Sequence, residues 1–201
     1  MKLQSIVIGN TTAAYVYRFR LPLIRRLIAN GYNVIVVSPY DKFVPDLISL
    51  GCNHVRVSID GAGTNPFVEL QSLIGFFRVY RRVKPVMVLH FTPKVNIYGG
   101  FAARLCGIPF INNLSGMGAA VTNGGFYAYV VTKLLKLTQS SAAHLFAQNK
   151  DDLKYVVDSG IAIKQKVSLL PGSGVDLNEF SVSPAPNNES TRFLFLSRLL
   201  I

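Results

Sequence analysis

Short apolar runs alternate with helical patterns along the chain, and this alternation constrains the fold more than any other feature. Seven runs have the length and aliphatic content of strands: Leu3–Ile8, Asn33–Val37, His54–Val57, Val86–Leu89, Phe110–Asn112, His144–Ala147 and Val167–Leu170. Repeated strand–helix units predict an α/β fold, a Rossmann-like doubly wound parallel sheet. Ligands of such folds bind at the carboxyl ends of the strands, near the point where the strand order reverses.

Helices are predicted where apolar residues recur at three- and four-residue spacing. The segments concerned are Leu23–Ile28, Phe67–Phe77, Ile97–Leu105, Phe126–Leu137 and Leu153–Val157. Asn65-Pro66 is typical of a helix start, a capping side chain followed by proline. Four glycines are expected just after helix ends, and they are Gly31, Gly51, Gly107 and Gly160.

The chain is predicted to have one complete domain and the beginning of a second. Residues 1–170 contain all the strand–helix units. Residues 171–191 begin with a Gly-rich turn, Pro171-Gly172-Ser173-Gly174, and continue into a polar segment with two prolines, typical of a hinge and an exposed linker. Residues 192–201 have the pattern of an opening strand whose domain does not follow in this chain.

Charge favours an anionic partner. The 201 residues carry 21 Lys and Arg against 10 Asp and Glu, a formal net charge of +11. Nucleic acid, an anionic membrane surface and a phosphorylated ligand all remain open on this basis. No segment resembles a signal peptide or a membrane-spanning helix, and Cys52 and Cys106 are expected to be buried free thiols, which favours a reducing, cytoplasmic location.

Three loops follow predicted strands and could bind a ligand. Asn10, Thr11 and Thr12 follow the first strand, where small side chains allow backbone N–H groups to approach an anion; an ordinary tight turn is the alternative. The Gly-x-Gly-x-x-Gly pattern of dinucleotide-binding loops does not occur in the sequence. Ser115, Gly116 and Gly118 follow the fifth strand, either as a ligand-wrapping loop or as a flexible one.

The loop after the fourth strand contains His90 and Lys94. His90 is a candidate catalytic residue because it lies at a strand's carboxyl end, although a hydrogen-bonded structural histidine is the more common case. Lys94 lies at a helix start, where its charge opposes the helix dipole, so an anionic ligand there is plausible. No metal-spaced cluster or Walker loop is present, and no metal cofactor is expected.

Arginines alternate with aromatic residues in two segments, around Arg18–Arg26 and around Arg78, Arg81 and Arg82. This pattern suits an anionic lipid surface, while a solvated basic face is the alternative. Nucleic acid would also fit the charge, but no recognised nucleic-acid-binding module accompanies it.

Six motifs together resemble the N-terminal half of bacterial family 4 glycosyltransferases, which have two Rossmann-like domains in the GT-B architecture. They occur in family order, and they are Tyr17–Leu23, Asn65–Phe67, His90–Gly99, Ser115–Gly118, Phe146–Asp152 and Pro171–Asp176. The resemblance covers essentially the whole chain. It is strongest to the enzymes that build capsule, O-antigen and related lipid-linked glycans.

The resemblance implies transfer of a sugar from a nucleotide-sugar, a UDP-sugar, to an undecaprenyl-diphosphate-linked glycan, with retention at the anomeric carbon. It also implies a peripheral position at the inner face of the cell membrane. By position, Gly9–Thr12 would line the diphosphate cleft, Ser115–Gly118 would lie near the acceptor, and Arg198 would contact the donor diphosphate.

Two departures from the family pattern follow. Many relatives have His where this chain has Phe91, so His90 is offset by one residue and its side chain should point to the other side of the sheet. The family's Lys and Glu-x7-Glu elements of the second domain have no counterpart before Ile201. An inactive, truncated fragment is therefore expected, and a non-catalytic membrane- or partner-binding module is the alternative.

Overall fold

A computed structural model gives the fold, and it describes residues 3–61, 63, 65–117, 125–177, 180–184, 190 and 193–196, with backbone alone at position 127. All seven predicted strands are confirmed: β1 Ser5–Gly9, β2 Asn33–Ser38, β3 Asn53–Arg56, β4 Met87–Phe91, β5 Phe110–Leu114, β6 His144–Ala147 and β7 Val167–Leu169. They form one parallel sheet in the order β3-β2-β1-β4-β5-β6-β7. The α/β, doubly wound, Rossmann-like class is therefore confirmed.

The five predicted helices are confirmed, and a sixth is found. The helices are α1 Ala13–Ala29, α2 Val44–Ser49, α3 Pro66–Val83, α4 Pro93–Leu105, α5 Gly125–Gln139 and α6 Lys150–Asp158, and a 3₁₀ turn, Lys164–Lys166, precedes β7. The spacing of apolar residues did not delimit α2, because its 6 residues are too few to show a helical period.

The predicted caps set the ends of the helices. The side chain of Asn65 accepts a hydrogen bond from the N–H of Phe67, with Pro66 in the first turn of α3. Gly31 follows α1 with φ +80°, a left-handed conformation that a residue with a Cβ adopts only at a cost. The next residue, Tyr32, donates back to the carbonyl of Leu27, which ends the helix and turns the chain into β2.

Helices cover both faces of the sheet because alternate strand residues point in opposite directions. On one face, Ile8 and Val36 of the sheet pack with residues of α1 and α2. On the other, Val7 and Val37 pack with residues of α3 and α4. A third cluster joins β5 and β6 to α4, α5 and α6, through residues such as Leu145.

Strand order reverses between β1 and β4, which are neighbours in the sheet. The helices that follow these two strands, α1 and α4, lie on opposite faces. Their amino ends therefore diverge above the carboxyl ends of β1 and β4, where a ligand can enter.

The described residues after β7 form neither helix nor strand. Side chains of the described part of the predicted last strand, Phe193 to Leu196, are 89–95% exposed. Arg25 of α1 contacts Asp176 in the predicted hinge at 3.8 Å. The division into residues 1–170, 171–191 and 192–201 stays a prediction.

Neither cysteine is bonded to the other. Cys52 is buried and Cys106 half-buried, and both are free thiols. Within the described ranges, no helix combines the length and the apolar character that crossing a bilayer requires.

Candidate functional site

A cleft opens at the carboxyl ends of β1, β4, β5 and β6, and we call it the switch-point cleft. It has two adjoining parts. The polar chamber, about 240 Å³, is lined by Asn10, Tyr15, Phe19, Arg20, Phe91, Thr92, Ser115, Gln148 and Ser173. The apolar chamber, about 380 Å³, shares Phe19, Arg20, Phe91 and Ser173 with it and adds Pro22, Leu23, Leu89, His90, Ile111, Asn113, Phe146 and Leu170. Residues from five of the six family motifs thus meet at one edge of the sheet, and only Asn65–Phe67 contributes none.

The loop after β1 contributes Asn10 to the polar chamber, whereas Thr11 and Thr12 do not line it. The Asn10 side chain accepts from the N–H of Thr11 at 2.7 Å, which fixes the turn. Thr12 caps α1 by accepting from Tyr15, and the carboxylate of Asp41 accepts from the N–H of Ala14 at 2.9 Å. Because a carboxylate already occupies the amino end of α1, this end is less suited to an anionic ligand. Substrate binding by the three residues stays a prediction.

His90 is fully buried, and both of its ring nitrogens have partners. Asn112 donates through Nδ2 to the carbonyl of Asn96, so its Oδ1 faces His90 and accepts from Nδ1 at 2.7 Å. The other nitrogen, Nε2, accordingly accepts from the hydroxyl of Tyr80 at 2.9 Å. Burial lowers the pKa of His90 to about 4, and the bond to Asn112 opposes that shift.

These contacts bear on the catalytic hypothesis for His90. Its ring packs among Phe76, Tyr80 and Phe110, on the α3–α4 side of the sheet. The offset read from the sequence therefore has its expected consequence, because Phe91 packs on the opposite face with residues of α1. The geometry supports the structural alternative, in which the hydrogen-bonded ring of His90 shapes the end of β4, where the residue also lines the apolar chamber. A catalytic role for His90 stays a prediction.

Lys94 also has protein partners for its charge. Its ammonium group donates to the carboxylate of Glu69 at 2.5 Å, to the carbonyl of Asp60 at 2.6 Å and to the carbonyl of Gly63. An ammonium has three N–H donors, so all three are used. The position of Lys94 at a helix start suggested an anionic partner, and within the protein that partner is the carboxylate of Glu69. The bonds of Lys94 to Asp60 and Gly63 also connect the loop before α3 to the start of α4.

The loop after β5 contributes the exposed Ser115 to the polar chamber. Gly116 follows with φ +132°, which is open to glycine and strained for other residues. The start of this loop is anchored, because Gln148 donates to the side chain of Asn113 at 3.0 Å. Gly118 and the donor-diphosphate candidate Arg198 lie outside the described residues.

Two lining residues, Arg20 and Thr92, escaped the predictions from sequence. Arg20 is only 9% exposed, and its guanidinium lies 4.1 Å from the centre of the Phe91 ring. Among the described residues no carboxylate pairs with it, its Nε has no hydrogen-bond partner, and burial lowers its pKa. A pattern in the sequence pointed to it: Val16, Arg20 and Ile24 form the inward i, i+4 row of α1, where an arginine is out of place.

Thr92 is the residue at which the chain turns from β4 into α4. Its φ of 78° is unusual for a β-branched residue, and its buried Oγ1 has no hydrogen-bond partner among the residues that the structure describes. It occupies the N-cap position of α4 without making a side-chain cap bond. Strain of this kind often marks functional sites.

The basic residues Arg78, Arg81 and Arg82 lie at the C-terminal end of α3, away from the switch-point cleft. All three are exposed. Arg78 and Arg82 border a groove of about 580 Å³ between β3 and α3. Three exposed apolar side chains of α3 line the same groove, Phe67, Leu70 and Ile74. We call this surface the α3 face.

Within the part of the chain that the structure describes, no three His, Cys, Asp or Glu side chains approach as metal ligands would. That the protein uses no metal stays a prediction.

The fold and the cleft define the class of the domain, a Rossmann-like half of the GT-B architecture with a cleft at the switch point. The chain belongs to the family described as Glycosyl transferase 4-like, whose model matches residues 7–149. The resemblance inferred from the six motifs is confirmed.

Relatives support the same placement. A curated relative from Campylobacter jejuni, N,N'-diacetylbacillosaminyl-diphospho-undecaprenol alpha-1,3-N-acetylgalactosaminyltransferase, is 26% identical over 172 residues, which cover 83% of this chain and 46% of the relative. The crystal structure of MurG from Acinetobacter baumannii is similar with a TM-score of 0.56 and 17% identity, covering 89% of this chain and 47% of that one.

A UDP-N-acetylglucosamine 2-epimerase structure is similar with a TM-score of 0.65 and 14% identity, covering 94% of this chain and 53% of that one. Likeness at this identity shows the fold alone. The chain spans about half the length of the relatives described here.

Proposed function

We propose that this chain is the acceptor-side half of a glycosyltransferase. The reaction would transfer a sugar from a UDP-sugar to an undecaprenyl-diphosphate-linked glycan, with retention, in the synthesis of a surface polysaccharide such as capsule or O-antigen. One observation carries the proposal: in a member of this family, a polar chamber adjoins an apolar chamber at the switch point. A lipid-linked sugar needs both environments, one for its sugar and phosphates and one for its isoprenoid chain.

The lining residues have distinct proposed roles. Asn10 and Ser115 offer hydrogen bonds to hydroxyl groups of the acceptor in the polar chamber. Leu89, Ile111 and Phe146 offer an apolar wall to the first isoprenoid units in the apolar chamber. The named acceptor of the Campylobacter jejuni relative, a diphospho-undecaprenol-linked sugar, is of the same chemical class.

We propose that this chain binds the acceptor and that a second domain binds the donor. In a two-domain cleft enzyme, one domain positions the donor while the other positions the acceptor. Such positioning accounts for about 7–11 kcal/mol of a reaction barrier. We therefore propose that the 201-residue chain alone binds an acceptor but does not transfer sugar.

Acceptor binding by the purified chain tests this proposal directly. The probe is a farnesyl-diphosphate-linked N-acetylhexosamine, and binding is measured by thermophoresis. Ser115→Trp fills the polar chamber and should abolish binding. Ser49→Trp is the matched control, since Ser49 is exposed at the end of α2, next to the amino ends of the strands. Absence of binding by the parent chain, or equal binding by both variants, would refute the acceptor-side assignment.

A second candidate function, attachment to a membrane surface, is favoured by the α3 face. Its apolar side chains can enter the interfacial region of a bilayer while Arg78, Arg81 and Arg82 contact anionic headgroups. Each such cation contributes about 1 kcal/mol near an anionic surface, and the attraction decays within a Debye length. A peripheral position at the inner face of the cell membrane is therefore proposed.

Flotation with vesicles containing anionic lipid tests membrane attachment. Binding should weaken with salt and with the triple change Arg78, Arg81, Arg82→Glu. The control changes three exposed lysines to Glu near the opposite edge of the sheet, beside β6 and β7, for the same change in net charge; they are Lys150, Lys154 and Lys164. Equal losses in the two triple variants would indicate bulk charge and count against a defined membrane-binding face.

A further inference from the structure

Arg20 is a buried cation whose compensation inside the protein is incomplete. Among the described residues its interaction is with the face of Phe91, 4.1 Å away, and no carboxylate contacts it. A buried charge without a counterion is costly, and a ring face compensates only part of that cost. The position is therefore explained better by a ligand than by stability.

The charge balance of the polar chamber points to an anionic ligand. Its described lining residues include one charged side chain, Arg20, and neither Asp nor Glu. The remaining polar side chains can all donate hydrogen bonds, and they are Asn10, Tyr15, Thr92, Ser115, Gln148 and Ser173. An anion in this chamber would meet donors and one cation, with no carboxylate to repel it.

Thr92 is a second and independent observation at the same place. Its buried Oγ1 has no hydrogen-bond partner within the described part of the chain, and its backbone is in a strained conformation. It is the N-cap residue of α4, a helix of 13 residues that begins with Pro93. Because proline has no N–H, the first-turn groups without an acceptor in the helix are the N–H groups of Lys94 and Val95. The side chain of Thr12 caps α1, whereas the side chain of Thr92 makes no cap bond to α4.

We propose that Arg20 and Thr92, with the amino end of α4, bind the diphosphate group of a substrate. The guanidinium would donate in a bidentate manner to phosphate oxygens, the Thr92 hydroxyl would donate a third hydrogen bond, and the helix dipole would add to the attraction. The inference rests on the proposed function, since it names the binding site for a group that a nucleotide-sugar and a lipid-linked acceptor both carry.

The apolar chamber favours the lipid-linked source. Arg20 lines both chambers, so a diphosphate bound to it has the wall of Pro22, Leu89 and Ile111 within reach of an attached isoprenoid chain. A nucleoside would have to place its polar base and ribose against the same wall. We therefore expect farnesyl diphosphate to bind more tightly than UDP.

Calorimetry with the full 201-residue chain tests the site, with farnesyl diphosphate and UDP as ligands and farnesol as the uncharged control. Arg20→Met should reduce affinity for farnesyl diphosphate by about tenfold to a hundredfold, the usual effect of losing charge-assisted hydrogen bonds. Arg26→Gln is the matched control, because Arg26 is exposed on the same helix. Its affinity should stay within about twofold of the parent chain.

Thermal unfolding without ligand separates this role from a structural one. If Arg20 exists for a ligand, Arg20→Met should leave the melting temperature unchanged or raise it, because an uncompensated buried charge is replaced by an apolar side chain. A large fall in melting temperature, combined with no diphosphate binding by the parent chain, would overturn the proposal. So would farnesyl diphosphate binding that is equal in Arg20→Met and the parent.

A second variant and further binding measurements complete the test. If Arg20→Met does not fold, Thr92→Val takes its place, and unchanged affinity in that variant overturns the proposal. Arg20-dependent binding of UDP alone would retain the diphosphate site and assign it to the donor. Sugar-lipid binding that Ser115→Trp abolishes and Arg20→Met does not would refute this inference while leaving the proposed function intact. If farnesyl diphosphate binds in an Arg20-dependent way but the sugar-lipid does not bind, the proposed function is refuted and the diphosphate site is retained.

Discussion

The buried pair of hydrogen bonds at His90 makes the stability of this domain depend on pH. The neutral ring is required, because Nε2 accepts from Tyr80 while Nδ1 donates to Asn112. A protonated ring would bring a buried charge and leave Nε2 as a donor facing the Tyr80 hydroxyl. Burial accordingly lowers the pKa of His90 from 6.5 to about 4.

The sign and size of the effect follow from proton linkage. Between pH 6.5 and about 4, the unfolded chain binds a proton at His90 that the folded chain does not, so the free energy of unfolding rises with pH in this window. The contribution is complete above pH 6.5 and is lost as the pH falls toward 4. A difference of roughly 2.5 pKa units corresponds to about 3 kcal/mol, a large part of the 5–15 kcal/mol that holds a domain together.

Denaturant unfolding at several pH values between 4 and 7 measures this contribution. His90→Gln removes the titrating group while retaining a polar side chain, so the variant should be less stable at pH 7 and show a shallower loss on acidification. The comparison is necessary because burial also lowers the pKa of His54, which acts in the same direction. His144→Gln, at a half-buried histidine bonded to Ser168, is the control and should keep the steep dependence of the parent chain.

The reasoning fails if His90→Gln and the parent chain lose stability equally on acidification. That result would mean that His90 takes up a proton in the folded protein, and therefore that water or a ligand reaches it. The catalytic hypothesis for His90 would then regain weight over the structural one.

Three further outcomes are expected. Lys94→Met should cost about 3 kcal/mol in denaturant unfolding, since it leaves the carboxylate of Glu69 buried without its cation; the double change with Glu69→Leu should recover part of that loss, and strictly additive losses would contradict the pairing. Gly99→Ala should destabilise by about 1–3 kcal/mol despite the better helix propensity of alanine, because the added Cβ would lie 2.6 Å from Nε2 of a His90 ring that its hydrogen bonds hold in place; an increase in stability would refute this packing. Limited proteolysis should cut first within 171–191 and leave a core ending near Leu170, and early cleavage inside 1–170 would argue against the predicted domain boundary.

The sequence alone determined the strands, because a short apolar run between turn residues is a local pattern that predicts a buried strand. The helix boundary at Asn65-Pro66 was equally local, since the cap and the proline act on the first turn they adjoin. The bounds of helix α2 were not predicted, because its 6 residues are too few to show a helical period. Two candidate residues that the sequence placed in separate loops, Asn10 and Ser115, line one chamber.

Only the tertiary structure decided which of these side chains already have partners within the protein. The ring of His90 is held by Asn112, an acceptor on another strand, and by aromatic rings of α3 and β5 that are distant in sequence. The partner of Lys94 is 25 residues away in sequence, so no local pattern could show that its charge was already neutralised. Arg20 was visible as an arginine in an apolar row, but only the folded surroundings show that no carboxylate of the described residues pairs with it. Pairing and burial are set by contacts between distant segments, and these are formed only when the sheet assembles.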